Sequence, residues 1–168
     1  MSKNGTSPEQ QSKLNPALDR LGVLVGEWEL EITSMSFDPD PSAVAHGHVS
    51  FHWTEDLAFL REYSEIPNTE FPQSVAIIGP DDAAETCSML YFDSRGVSRI
   101  YQMSLTGDTW MLWRDYPGFS QRFTGTFSDD GSVITARWEK STDGSTWEHD
   151  FDQRYTKVLR SEKHSEKS

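Results

Sequence analysis

Tight-turn signals at regular spacing constrain this chain more than any other feature of its sequence. In the second half the signals are Ser94-Arg95-Gly96, Thr106-Gly107-Asp108, Pro117-Gly118, Asp129-Asp130-Gly131 and Thr142-Asp143-Gly144-Ser145. Glycine and aspartate tolerate the positive φ that tight hairpin turns demand, so each signal predicts the end of one strand and the start of the next. The second half is therefore predicted to be a series of hairpins.

The first half adds one short helix and four less regular strands. Asn15-Pro16 has the form of an N-cap followed by a proline at the first helical position, and the helix is expected to stop near Gly22. The strand candidates are 23–34, 43–54, 57–66 and 73–79. About ten strands in one sheet rarely stay open, because accumulated twist brings the edges together. We expect an all-β antiparallel up-and-down meander closed into a barrel.

Length and composition indicate one domain with a tail at each end. The chain has 168 residues, of which 12% are aromatic, enough to bury a core. Residues 1–13 are polar and are predicted to form a mobile N-terminal tail. Residues 160–168 have the same character and are predicted to be a disordered C-terminal tail. The single β-barrel domain is expected to cover residues 14–159.

Charge and cysteine content exclude several partners. The formal net charge of −12 repels the phosphates of nucleic acid and an anionic membrane surface. The single cysteine, Cys87, permits no internal disulfide. The first thirty residues lack the basic and apolar stretches of a secretory signal. A cytoplasmic location is therefore expected.

When a two-residue turn is placed at each of these signals, the resulting strand registers put one common set of side chains on the same face of the sheet. We expect this face to be the inside of the barrel. The turns pair Leu112 with Phe123 and Trp138 with His149, and a one-residue slip would invert the next strand. The residues predicted to face inward are Leu90, Phe92, Tyr101, Met103, Leu105, Trp110, Leu112, Phe123, Phe127, Ile134, Ala136, Trp138 and Phe151. Cys87 falls on the outer face by the same alternation.

The same alternation turns several polar side chains inward. They are Arg99, Arg114, Gln121, His149 and Gln153. In one interpretation the arginines lie at the barrel ends and are satisfied by Glu62, Glu65 or solvent. In the other they line a cavity that holds the polar head of an apolar ligand. The second interpretation predicts a ligand-binding site that consists of Tyr101, Arg114, Trp138, His149, Arg99 and Gln121.

The sequence predicts no catalytic residue and no metal site. His46, His48 and His52 share one face of a strand whose other face is apolar, so they are expected to point to solvent. No nucleophile motif occurs, and the inner face lacks paired carboxylates. An enzyme using Tyr101 and His149 as acid and base remains an alternative, as does an interaction module. Met111 and Trp113 face outward and are a candidate contact for a homodimer.

Two stretches carry a resemblance to known barrels. Leu21-Gly22-Val23-Leu24-Val25-Gly26-Glu27-Trp28 resembles the opening of calycin barrels, in which a short helix closes one end. The long stretch from Met89–Gly96 through Trp138–Trp147 is similar to a bacterial family of lipocalin-like proteins for which no activity is established. The resemblance implies a calycin-like barrel fold and leaves the function open. From the polar residues of the inner face we expect a small apolar ligand with a polar or anionic head and no cofactor.

The same superfamily offers one cofactor alternative. Nitrobindin-like proteins bind haem through a histidine on a late strand, and the resemblance places His149 comparably. This chain lacks the two later glycines of the Gly-x-Trp-x-Gly-x-Gly pattern of those proteins, since Leu30 and Ile32 stand there. In calycins a late arginine packs on the first-strand tryptophan. Arg154 is the nearest candidate, although its predicted orientation is outward.

Overall fold

A computed structural model describes residues 15–81 and 86–159, and both predicted tails, 1–13 and 160–168, lie outside these residues. The strands are β1 (Gly26–Thr33), β2 (Ala45–Trp53), β3 (Leu60–Glu65), β4 (Ser74–Pro80), β5 (Cys87–Asp93), β6 (Ser98–Thr106), β7 (Thr109–Arg114), β8 (Ser120–Phe127), β9 (Val133–Ser141) and β10 (Glu148–Lys157). Each strand pairs with the next in antiparallel fashion, and β1 pairs with β10. The prediction of an all-β meander closed into a barrel is confirmed.

A short helix covers one end of the barrel. Helix α1 (Leu18–Leu21) continues into a 3₁₀ turn (Gly22–Leu24), and Oδ1 of Asn15 accepts a hydrogen bond from the N–H of Ala17 at 3.0 Å. The three leucines of this segment are buried. The indole Nε1 of Trp28 donates to the carbonyl oxygen of Leu24 at 2.8 Å, which fixes the helix to the first strand.

Lys157, and not Arg154, lies against the first-strand tryptophan. Lys157 is opposite Trp28 in the β1–β10 ladder, and its Nζ is 5.3 Å from the centroid of the indole ring. Arg154 is opposite Glu31 and exposed, as its predicted outward orientation requires. An ammonium over an aromatic face at this distance is within the range of a cation–π interaction.

Most hairpin registers of the second half are as predicted. Met103 lies opposite Leu112, Leu112 opposite Phe123 and Phe123 opposite Trp138. These pairs belong to the buried layer that fills the barrel. The turn signals therefore set the alternation of β6 to β9 correctly.

The prediction for β5 was wrong by one residue. Residues 94–97 form the loop, and Phe92 pairs with Ser98 and Leu90 with Ile100. Leu90 and Phe92 consequently point outward and are 41% and 48% exposed. Cys87, expected on the outer face, is buried opposite Met103.

The prediction for the start of β10 was also wrong, because a bulge interrupts the ladder. His149 pairs with Glu139, whereas Trp138 pairs with Phe151, which leaves Asp150 as the extra residue. A bulge of this kind places two residues of one strand opposite one residue of its partner and re-aims the side chains beside it. His149 is therefore turned outward, while Phe151 faces inward as predicted.

In the described part of the chain, neither helical segment has the length and apolar character needed to cross a membrane.

Candidate functional site

A cavity of about 280 Å³ lies inside the barrel toward the end opposite α1. Helix α1 precedes the start of β1, and the loops that contribute Phe71, Arg95 and Phe119 to the cavity follow odd-numbered strands. In an antiparallel meander those loops lie at the far end. The other lining residues are Leu30, Ile32, Glu62, Ser64, Ile66, Pro72, Ser74, Met89, Tyr91, Arg99, Tyr101, Trp110, Leu112, Gln121, Phe123, Trp138, Asp150, Phe151, Gln153 and Tyr155.

Aromatic rings form much of the cavity wall. The ring of Trp138 is 5.7 Å from Tyr101 and 5.1 Å from Phe123, measured between centroids. At the floor the ring of Trp110 is 4.7 Å from Phe123 and 5.9 Å from Tyr155. These contacts are edge-to-face or tilted, the arrangement that aromatic pairs prefer. An apolar ligand body would meet a wall that is already held in place.

Gln121 accepts two hydrogen bonds near the mouth of the cavity. Its Oε1 accepts from the hydroxyl of Tyr101 at 2.8 Å and from Nη1 of Arg99 at 3.2 Å. The guanidinium of Arg99 also lies 5.2 Å from the ring centroid of Phe119. Burial raises the pKa of the Tyr101 phenol, so the hydroxyl remains a neutral donor. Neither hydrogen bond uses the amide nitrogen of Gln121.

Gln153 repeats this arrangement on the opposite part of the wall. Its Oε1 accepts from Nε1 of Trp138 at 3.1 Å and from the hydroxyl of Tyr155 at 3.0 Å. Two donors converge on one oxygen in each glutamine, which fixes the orientation of both amides. Each amide N–H group is therefore directed away from these donors.

Two polar atoms at the floor have no hydrogen-bond partner within the described chain. They are Oε2 of Glu62 and Nε1 of Trp110, both shielded from solvent. Burial raises the pKa of the Glu62 carboxyl to about 7. Burial, followed by the nearby Glu62 charge, raises the pKa of Tyr155 well above its ordinary range. A buried polar group without a partner is uncommon and needs an explanation.

The mouth carries an ion pair and an aromatic cluster. The carboxylate of Asp93 accepts from the hydroxyl of Tyr91 at 2.8 Å and from Nη2 of Arg95 at 2.7 Å. The Arg95 hydrogen bond contributes most to lowering the pKa of Asp93 to about 2. Across the opening, the ring of Phe71 lies 5.7 Å from Phe37 and 5.7 Å from Phe151.

Four of the six predicted site residues line this cavity: Arg99, Tyr101, Gln121 and Trp138. Arg114 lies at the rim, where Nη1 donates to the carbonyl oxygen of Phe119 at 3.2 Å and the guanidinium stacks 4.4 Å from the ring of Tyr116. It lines an outer groove instead.

His149 lies away from the cavity. Its Nε2 is 2.9 Å from Oδ1 of Asp152, on the outer side of the sheet. No histidine of the described residues lines the cavity. The residues present therefore do not fit a haem bound through His149, and the pairing of Tyr101 with His149 as acid and base lacks the contact it requires.

Residues missed by sequence reasoning contribute to the floor and to the mouth of the cavity. Glu62 was considered only as a counter-ion for the arginines, yet it lies at the floor of the cavity. The alternation of Leu60, Glu62 and Ser64 on a short strand was the available signal. Asp150 also lines the cavity, through the bulge, and is paired with Lys140 at 3.2 Å.

The outer-face histidines are where the sequence places them. Glu27 accepts from Nε2 of His52 at 2.7 Å and lies 2.9 Å from Nε2 of His48, while His46 is exposed. Across residues 15–81 and 86–159, no group of three or more histidine, cysteine or acidic side chains is arranged to hold a metal ion.

Comparison with known proteins supports the fold. No family model matches this chain, and no curated protein matches it. The chain is similar to the crystal structure of Rv2717c from M. tuberculosis, with a TM-score of 0.62 and 13% sequence identity. The match covers 87% of this chain and 99% of that chain. At this identity the similarity shows a shared barrel fold and carries no statement about function.

Proposed function

We propose that this chain is a calycin-like barrel that binds a small, largely apolar molecule with a polar or anionic head. The cavity carries the proposal: it has an aromatic wall, a few placed polar groups and an opening at one end. A liquid water molecule occupies about 30 Å³, so the cavity has room for roughly nine waters or one small ligand. The single cysteine favours a cytoplasmic setting for this binding.

Arg99 supports an anionic head at the mouth. Among the described residues its guanidinium hydrogen-bonds to the neutral Gln121, stacks on Phe119 and forms no ion pair with a carboxylate. A partly buried arginine without a counter-ion favours binding of an anion. The amide nitrogen of Gln121 supplies a second donor beside it.

Native mass spectrometry of the protein purified from its own host is the first test. A ligand appears as a mass difference between native and denaturing conditions. The second test is calorimetric titration with 3-phenylpropionate, an apolar body with an anionic head. The absence of both an adduct and measurable binding would contradict the proposal.

Two variants locate the binding. Ser64→Phe places a large ring in the cavity and should abolish binding of 3-phenylpropionate, whereas Ser104→Phe on the outer side of β6 should leave it unchanged. Arg99→Gln should weaken binding of 3-phenylpropionate about tenfold and leave the neutral 3-phenylpropanol unaffected. Equal effects of Arg99→Gln on both probes would contradict an anionic head at this position.

A further inference from the structure

The floor of the cavity pairs an unsatisfied acceptor with an unsatisfied donor. Oε2 of Glu62 and Nε1 of Trp110 both lack a hydrogen-bond partner, and both residues line the cavity. Trp110 is only 1% exposed, so its indole N–H cannot turn to bulk solvent. Leaving such a group unpaired carries a substantial free-energy penalty.

The surrounding side chains do not supply the missing partners. The hydroxyl of Tyr155, whose pKa the Glu62 charge raises, donates to Gln153 instead. The rings of Phe51 and Phe123 flank Trp110 at 6.0 and 4.7 Å and offer no acceptor. The polar atoms at the floor are therefore directed to whatever occupies the cavity.

The two atoms together select a functional group. An ammonium group donates to Glu62 but offers no lone pair to Trp110. Above about pH 7, where Glu62 is ionised, a carboxylate accepts from Trp110 but repels the Glu62 carboxylate. A hydroxyl group has one donor hydrogen and two acceptor lone pairs, so this one group is complementary to both atoms.

We propose that the floor takes a ligand hydroxyl, which donates to Oε2 of Glu62 and accepts from the N–H of Trp110. This inference rests on the proposed function and deepens it. With the anionic head beside Arg99 at the mouth and the hydroxyl at the floor, the ligand class is a small hydroxylated acid with an apolar body between its two polar ends.

Matched probes test the hydroxyl directly. Calorimetry on the full chain at about pH 8.5, where Glu62 is ionised, compares 3-(4-hydroxyphenyl)propionate with 3-phenylpropionate, which lacks only the hydroxyl, and with 3-(4-formylphenyl)propionate, which has an acceptor but no donor. The hydroxyl probe should bind about tenfold more tightly than either of the others.

Three variants assign the preference to the two floor residues. Glu62→Leu removes the acceptor, and Trp110→Phe removes the N–H while keeping an aromatic ring. In both variants the ratio of affinities for the hydroxyl and unsubstituted probes should fall from about ten to about one. Trp113→Phe is the matched control, because Trp113 lies on the outer side of β7, opposite Gln102 and away from the cavity. It should keep the ratio.

The outcomes separate this inference from the proposed function. Equal binding of the hydroxyl and unsubstituted probes to the unaltered protein overturns the hydroxyl site and leaves the proposed ligand-binding function in place. A water molecule that already satisfies the two floor atoms would give this result. Tenfold preference that survives Glu62→Leu and Trp110→Phe also overturns the hydroxyl site. Failure of every probe to bind overturns the proposed function and this inference together. Circular dichroism of each variant confirms that the barrel is folded.

Discussion

Tyr101 donates its phenol hydroxyl to Oε1 of Gln121 at 2.8 Å, and this hydrogen bond connects β6 to β8 across β7 on the inner side of the barrel. Both residues are buried. The bond therefore satisfies two polar groups that would otherwise be unpaired in the cavity wall, and it holds the Gln121 amide beside Arg99.

Removing that hydroxyl should destabilise the barrel modestly. In Tyr101→Phe, Oε1 of Gln121 keeps only the bond from Arg99, and the free energy of unfolding should fall by about 1 kcal/mol. Urea denaturation measures the change. Tyr116→Phe is the control, because Tyr116 is exposed and its contact with Arg114 is through the ring. An equal loss in both variants would contradict a specific role for the Tyr101 bond.

The closed meander was predictable because hairpin turns leave local sequence signals. Gly107, Gly118 and Gly131 adopt positive φ angles of 61°, 86° and 73° at the turns that set the register of β6 to β9. Each signal acts within a few residues, so the pairing of neighbouring strands follows from it. The inward placement of Tyr101 and Gln121 was obtained in this way.

The errors in strand register arose where the length of a loop or the presence of a bulge could not be recognised from a turn motif in the sequence. The β9–β10 ladder begins one residue out of the predicted register, with Lys140 opposite Glu148, and the bulge at Asp150 shifts it by one more. Two shifts of one residue each restore the predicted alternation of inward and outward side chains after the bulge. Phe151, which follows both shifts, was therefore correctly placed inside, whereas His149, which lies between them, was not. The floor residue Glu62 was missed because no tight turn fixes the register of β3.

Glu62 should make stability decrease as pH rises through neutrality. The carboxyl has a pKa of about 7 in the folded barrel and an ordinary value of 4.5 when unfolded. Between these values the unfolded chain has released the proton while the folded chain retains it, so raising the pH favours unfolding. The total contribution is on the order of 3 kcal/mol, fully expressed above about pH 7.

Glu62→Gln isolates this contribution, because glutamine has a similar shape and no ionisation. The free energy of unfolding of the variant, minus that of the original protein, should grow as the pH rises from about 4 to about 8. Guanidinium denaturation at several pH values gives this difference. A difference that stays constant with pH would show that Glu62 does not have a raised pKa in the folded state.

Trp28 should be a major source of stability at the closed end. Trp28→Phe removes the hydrogen bond to Leu24, reduces the contact with Lys157 and leaves unfilled volume under α1. We expect a loss of about 2–3 kcal/mol in the free energy of unfolding, measured by thermal and urea denaturation. Trp113→Phe, on the outer side of β7, should cost less than about 1 kcal/mol. A similar loss in both variants would contradict the role assigned to Trp28 beneath α1.

Gly47 should tolerate no larger side chain. A Cβ at this position would lie 2.5 Å from the carbonyl oxygen of Glu65 and 2.7 Å from Cγ1 of Ile66. Gly47→Ala should therefore destabilise the barrel by about 2 kcal/mol or more. Gly22→Ala is the control, since Gly22 has helical backbone angles and open space around it, and it should stabilise by about 0.5–1 kcal/mol. If Gly22→Ala destabilised the barrel and Gly47→Ala did not, both expectations would be contradicted.

The outer side of β5 and β6 provides a surface on which to test the expected homodimer. Leu90, Phe92 and Ile100 are exposed there beside Trp113, and together they form an apolar groove. The contact is thus expected to extend from Met111 and Trp113, which also face outward, toward β5. The homodimer itself stays a prediction, and its strength should depend on salt, because a net charge of −12 makes two copies repel each other.

Ile100→Lys should abolish such a dimer, because Ile100 is 62% exposed near the middle of the groove and a charge there must be desolvated on association. Sedimentation velocity over a range of protein and salt concentrations should show a dimer that strengthens with salt in the original protein and a monomer in the variant. Val44→Lys, at an exposed valine outside the groove, should behave like the original protein. A chain that sediments as a monomer at every concentration and salt level has no dimer contact on this face.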